Sequence, residues 1–213
     1  MREVIIGLQL AALIPILVVL FYKPALNQFF KLLLASILLS LVSDSIGTFC
    51  SFYFRNNLFV LCIYPILNAI LITTMWQKVP FYDNASKRFV RNLGYLLTSI
   101  MIFELAFKSF TESALYIIGG ISILLVLIFA LHFYRQKILL STYTPLLKDP
   151  YFITASGYIL FSLSTIIILV AQIFYIGDEF LFYTWTMRQI FYLIYNIIIA
   201  YAFFVLYKTQ TLK

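Results

Sequence analysis

The sequence predicts an all-α polytopic membrane protein, a single bundle of seven transmembrane helices with the N-terminus outside and the C-terminus in the cytoplasm. Three observations carry this. Of 213 residues, 63% are hydrophobic and 11% charged, against roughly 45–50% and 25% in ordinary soluble domains; a soluble fold of this size could not hide that much apolar surface. Apolar runs near or above the roughly 20 residues that cross a hydrocarbon core recur along the whole chain. The basic residues between the runs gather at alternate connections, as the positive-inside rule requires of a chain that weaves through a bilayer.

The runs fall at 4–22, 31–53, 58–77, 89–108, 113–134, 151–175 and 180–207. Backbone groups in lipid must be paired within their own segment, which makes long uninterrupted runs helices rather than the ten-residue alternating strands of a barrel. The connections are too short for a separate folded domain, so 1–213 reads as one domain with no soluble part. The first run follows Arg2, as a secretory signal would. Glu3 cancels that charge, no small-residue cleavage site follows Leu20, and Lys23 comes directly after, so a retained helix is expected. Pro15 and Pro65 fall inside the first and third runs, whereas Pro24, Pro80, Pro145 and Pro150 sit at connections as helix stops or starts. The third connection, 78–91, is polar enough to separate a three-helix group from a four-helix group. The proline-glutamine signature of sugar-transporting bundles is absent.

The net charge of +7 would suggest nucleic acid in a soluble protein. Here it sets topology, and no nucleic-acid partner is expected. Lys23, Lys31, Lys78, Lys87, Arg88, Arg91, Arg135, Lys137, Lys148, Lys208 and Lys213 fall on one predicted side. The other side holds Arg2, Arg55 and Lys108 with the acidic pair Asp178 and Glu179. The basic side is therefore cytoplasmic. Aromatic residues near the run ends, among them Phe21, Tyr22, Tyr53, Trp76, Phe81 and Trp185, read as an interfacial belt. Cys50 and Cys62 read as packed thiols rather than a bridge.

Ionisable and amide groups inside a membrane are costly, so each needs a partner or a function. Few are present: Asp44, Asn68, Glu104, His132, Gln172, Arg188, Gln189 and Asn196. On the second run, Ser36, Ser40, Ser43, Asp44, Gly47 and Ser51 recur at three- and four-residue spacing, roughly on one face. One reading of this stripe is close helix approach with interhelical hydrogen bonds. The other is an outward-opening ligand pocket in which Asp44 and Glu104 face Arg188, with Asn68, Tyr192 and Asn196 as floor and Gln172 in the same outer half. His132, beside Arg135 and Lys137, reads as a solvated helix end. One His and two Cys give no metal set, no cofactor is implied, and no nucleophile triad, H-E-x-x-H or phosphate loop is present, so an enzyme is not the expected class. A retinal protein is excluded by the lack of lysine between 180 and 207.

Two stretches, LLKDPYFITASGYILFSLSTIIIL from Leu146 and RQIFYLIYNIIIAYAFFVLYK from Arg188, resemble small, uncharacterised seven-helix bacterial membrane proteins associated with sensor histidine kinases. The matching features are Asp149-Pro150 at the start of the sixth helix and Asn196 in an aromatic-rich seventh; a glycine-asparagine pair expected midway along the sixth is Ser164-Thr165 here. The resemblance implies a bacterial cytoplasmic (inner) membrane as the compartment and a histidine kinase or another membrane protein as partner. The expected function is a sensory or regulatory module that binds a small ligand, lipid or partner in the outer half of the bundle and acts through that partner, since only six residues follow Tyr207. The alternatives are a small transporter or channel and, third, an intramembrane lipid-processing enzyme.

Overall fold

A computed structural model describes residues 10–80, 82–139, 145–174 and 178–211. Among these residues there are seven α-helices and no strand. They are α1 (Leu13–Tyr22), α2 (Gln28–Tyr53), α3 (Leu58–Trp76), α4 (Asn84–Lys108), α5 (Glu112–Leu139), α6 (Pro150–Phe174) and α7 (Asp178–Thr211), with single 3₁₀ turns at Leu10–Ala12 and Leu146–Lys148. Six helices, α2 to α7, are long and apolar enough to cross a membrane, which makes this a multi-pass membrane protein. α1 is shorter than a crossing, and residues 4–9 of the expected first run lie outside the described residues, as do Arg2, Phe81, Lys213 and the side chains of Gln172, Asp178, Glu179 and Trp185.

Local chemistry sets the helix ends. Asn27 and Asp83 cap α2 and α4, their side chains accepting from Phe30 N at 3.1 Å and Ser86 N at 2.7 Å. Asp149 does the same for α6, accepting from Tyr151 N at 2.9 Å. α1 stops at Lys23, whose φ of 46° is left-handed and whose N–H returns to Val19 O, with Pro24 next. Pro15 lies in the first turn of α1, where no helix interior is broken. α4 begins five residues before the expected 89 and α5 continues five beyond 134, so Lys87, Arg88, Arg135 and Lys137 are helical residues rather than loop residues. Lysine and arginine are good helix formers, and nothing obliges a helix to stop at the lipid boundary.

The chain forms two compact units, one of Leu26–Phe129 and one of Met1–Ala25 with Ala130–Lys213, here called central and terminal from their place in the sequence. The third connection therefore does not divide the chain: α3 and α4 on either side of it pack together inside the central unit.

In the central unit α2 runs antiparallel to α3. Ser36 meets Asn68, the Phe29 ring meets Trp76 at 5.6 Å, and Gly47 faces Val60. α3 runs antiparallel to α4, and a Cβ built on Gly94 would lie 2.8 Å from Thr73 Cβ. Only the absence of a side chain at Gly94 lets these backbones come so close. Phe29, Phe30, Leu33, Ser36, Ser40, Gly47 and Cys50 form the buried face of α2. Leu38, Val42, Ile46 and Phe49, at helical spacing on another face, are exposed, an apolar stripe suited to lipid and not to water. Cys50 and Cys62 are both buried and free.

In the terminal unit α6 runs antiparallel to α7, with Ile153 packed on Ala202 and Val205 and Gly157 against Ile198. α1 runs parallel to α7: Tyr22 packs on Phe204 and Tyr207 at ring distances of 5.2 and 5.3 Å, and the amide of Gln210 exchanges two 2.8 Å hydrogen bonds with the backbone of Ala25. The end of α5 joins α6 through Tyr134, stacked on Phe152 and hydrogen-bonded to Ser156 at 2.5 Å, and through a Lys137–Asp149 ion pair at 2.5 Å. Several expected belt residues are thus interior. Trp76 and Tyr82 are buried, whereas Phe21, Tyr53 and Tyr183 are exposed.

Each unit collects basic residues at one end. In the central unit the start of α2, the end of α3 and the start of α4 come together with Lys31, Lys78, Lys87, Arg88 and Arg91. In the terminal unit the ends of α1, α5 and α7 and the start of α6 do so with Lys23, Arg135, Lys137, Lys148 and Lys208.

Candidate functional site

The seven residues named from sequence divide between the units. Asp44, Asn68 and Glu104 belong to the central unit, and Gln172, Arg188, Tyr192 and Asn196 to the terminal one. In the central unit, Asn68 is held across the α2–α3 contact, its Oδ1 accepting from Ser36 Oγ at 2.6 Å. At Ser36, that bond is the interhelical reading of the serine stripe. Farther along α2, Ser45 and Thr48 donate to the carbonyls of Leu41 and Asp44 within their own helix, and Ser51 is exposed. Asp44 itself is half-buried. Glu104 pairs with Lys108 one turn later on α4, Nζ to Oε1 at 2.5 Å. An (i, i+4) pair at a helix end reaching toward water is a local way to neutralise a carboxylate and needs no ligand.

In the terminal unit the polar groups lie along the α6–α7 seam. Tyr158 opposes Tyr195 at 5.3 Å, and Phe161 opposes both Tyr195 at 5.2 Å and Tyr192 at 6.0 Å. Asn196 is buried beneath these rings and turns back on its own helix, Nδ2 donating to Tyr192 O at 2.8 Å. Extending the same antiparallel register by one turn sets Gln189 opposite Thr165. Thr165 and Ser164 donate to Phe161 O at 2.7 and 2.9 Å. Gln189 is 8% exposed, and among the described residues its Oε1 has no hydrogen-bond donor; Ser162 Oγ on α6, 1% exposed, is likewise without a partner among them. Arg188, beside Gln189, is exposed. His132 is half-buried in α5, seven residues before its end, rather than at a solvated terminus.

Gln189 and Ser162 were not among the site residues read from sequence. The signal was present for Gln189: with Tyr192 and Asn196 it recurs at spacings of three and four, on one side of α7. The charge of Arg188 drew attention to the neighbouring position, yet it is the amide that is buried.

The seam offers neutral hydrogen-bonding groups among aromatic rings. Such groups are of the kind that can hydrogen-bond and stack on a small molecule. Among the described residues no three His, Cys, Asp or Glu side chains converge as metal ligands would. Compared with known protein families, curated proteins and solved structures, the chain has no significant match.

Proposed function

We propose that the chain is a sensory or regulatory integral membrane module that binds a small ligand, lipid or partner segment along the outer half of α6 and α7 and acts through a second protein, such as a histidine kinase, at its basic end. The observation that carries this reading is the buried Gln189 Oε1 without a donor, at the outward end of the aromatic seam. An unsatisfied acceptor in an apolar interior costs about 1–3 kcal/mol, and a ligand that supplies a donor recovers that cost. Helix rearrangement at the seam would then reach the ends of α1, α5 and α7, where Lys23, Arg135 and Lys208 present a cationic surface to a partner.

The same reading includes the topology. α1 completes a seventh crossing with residues 4–9, the N-terminus is outside, and the C-terminus faces the cytoplasm of a bacterium. The parallel run of α1 and α7, which brings Lys23 and Lys208 to one end, supports it.

Transport is the weaker reading. Two of the hydroxyls that would line the inner half of a path are engaged locally: Thr154 donates to Pro150 O, and Ser156 meets Tyr134 and Phe152 O.

The test is thermal melting of the purified chain in detergent against a library of metabolites and lipids, with Gln189→Leu, Arg188→Gln and Asp44→Asn beside wild type. A compound that raises the wild-type midpoint, with the rise abolished in Gln189→Leu while that variant alone melts no lower than wild type, supports the seam as the site. A rise that survives Gln189→Leu and vanishes in Asp44→Asn moves the site to α2. Substrate-dependent flux in reconstituted vesicles would make transport the function.

A further inference from the structure

The central unit ends in a groove that the α6–α7 seam does not involve. Gln77 and Lys78, just past α3, form one wall, and Asn84, Lys87, Arg88 and Arg91, in the first turns of α4, form the other, around a volume of about 470 Å³. Among the described residues no carboxylate is part of its lining, although Asp83, the exposed cap of α4, directly precedes Asn84. Lys78, Arg88 and Arg91 are exposed and Lys87 is half-buried.

Like-charge repulsion opposes this arrangement unless something anionic fills it. Like charges three or four residues apart on a helix repel, and Lys87, Arg88 and Arg91 are so spaced. Asp83, the cap of α4, already answers the positive end of that helix through its bond to Ser86 N, and this one carboxylate against Lys78, Lys87, Arg88 and Arg91 leaves three positive charges in excess. An anion held among the four cations removes that repulsion.

The groove's surroundings point to the source of that anion. Arg88, Tyr95 and Ile102 follow one another at seven-residue intervals, along one line of α4. Tyr95 is 60% exposed and Ile102 51%, so the cationic wall leads directly into apolar surface at membrane depth. A soluble anion has no use for such a track, whereas acyl chains do. A single diester phosphate would leave most of that excess positive charge unanswered.

We propose that this groove holds the headgroup of an anionic phospholipid bearing two phosphates, drawn from the leaflet at the basic end, with its acyl chains laid along Tyr95 and Ile102.

The test uses the full chain in detergent, read by native mass spectrometry for retained lipid and by melting temperature. The probes are diphosphatidylglycerol, phosphatidylglycerol, phosphatidylcholine and inorganic pyrophosphate. One variant combines Lys87→Gln, Arg88→Gln and Arg91→Gln. A control removes equal charge from the basic end of the terminal unit through Lys23→Gln, Arg135→Gln and Lys148→Gln. The expected result is preferential retention of diphosphatidylglycerol by wild type, affinity reduced about fivefold per charge removed and on the order of a hundredfold in the α4 variant, and near wild-type affinity in the control. Equal loss in both variants would reduce the groove to general surface charge. Equal retention of all three lipids, or a pyrophosphate shift as large as that of the lipid, would overturn the proposal outright.

Discussion

The two units hold together by different means. In the central unit, packing is closest at Gly94, where a Cβ would meet the Cβ of Thr73 at 2.8 Å, an atom fixed to its backbone. In the terminal unit, the corresponding glycine is Gly157, where a Cβ would meet the branch methyl Cγ2 of Ile198 at 3.1 Å, a tight contact rather than a clash. Here the helices are joined by rings, by Tyr134–Ser156 and by the Lys137–Asp149 pair. The contrast teaches that a glycine in a membrane helix is not itself a packing signal. Gly47, in the small-residue stripe of α2, has only an ordinary 3.8 Å neighbour, and Gly94, outside any stripe, is where the backbones meet.

Substitutions break this contrast from either side, the largest in the terminal unit. Lys137→Met leaves the Asp149 carboxylate, 10% exposed, without its cation. Breaking a fully buried pair costs about 3–5 kcal/mol; at a helix end the expected loss is about 2–3 kcal/mol. Hydrogen exchange should localise it to the end of α5 and the start of α6, and restoration of stability by Lys137→Arg would assign it to the charge. Gly94→Ala should cost about 1–3 kcal/mol by overpacking, loosening α3 and α4 alone. Gly157→Ala should cost less than Gly94→Ala in the same thermal assay, because its nearest neighbour, at 3.1 Å, has to give by only a few tenths of an ångström. Equal costs at the two glycines would end the distinction drawn between the units.

Asn68→Leu removes the α2–α3 hydrogen bond and should cost about 0.6 kcal/mol, the average of such bonds in membrane bundles. A loss several times larger would mean that Asn68 has a second task. The smallest effect concerns alkaline pH. Burial raises the Tyr82 phenol above its ordinary value of 10.0. Above about pH 10 the unfolded chain therefore releases a proton that the folded chain keeps, and stability falls as pH rises. Tyr82→Phe should fall less steeply over that range when the two melting profiles are overlaid.

Much of the fold was legible because lipid restricts the alternatives. A run such as 151–175 has to be helical, and α6 occupies Pro150–Phe174. The caps could be read as well, since Asp149-Pro150 marks a helix start by its chemistry. The ends of α4 and α5 were misplaced because apolar periodicity stops at the membrane boundary, whereas the backbone hydrogen-bond ladder does not. At the candidate site, residue type identified which side chains are costly to bury but not which neighbour satisfies them. Glu104 takes Lys108 on its own helix, Asn68 takes Ser36 across a helix contact, and Asn196 takes the carbonyl of Tyr192.

By itself, the sequence determined that this chain crosses a membrane several times as helices, and that basic residues mark one end. Both follow from the cost of placing unpaired backbone or charge in hydrocarbon. Only the tertiary structure decided which faces meet: that α1 lies parallel to α7, that Gly94 rather than Gly47 is the point of closest approach, and that Gln189 rather than Arg188 is buried. A helix repeats its faces every 3.6 residues whatever lies beside it. Its rotation against a neighbour depends on side chains distant in sequence, and no local pattern records that choice.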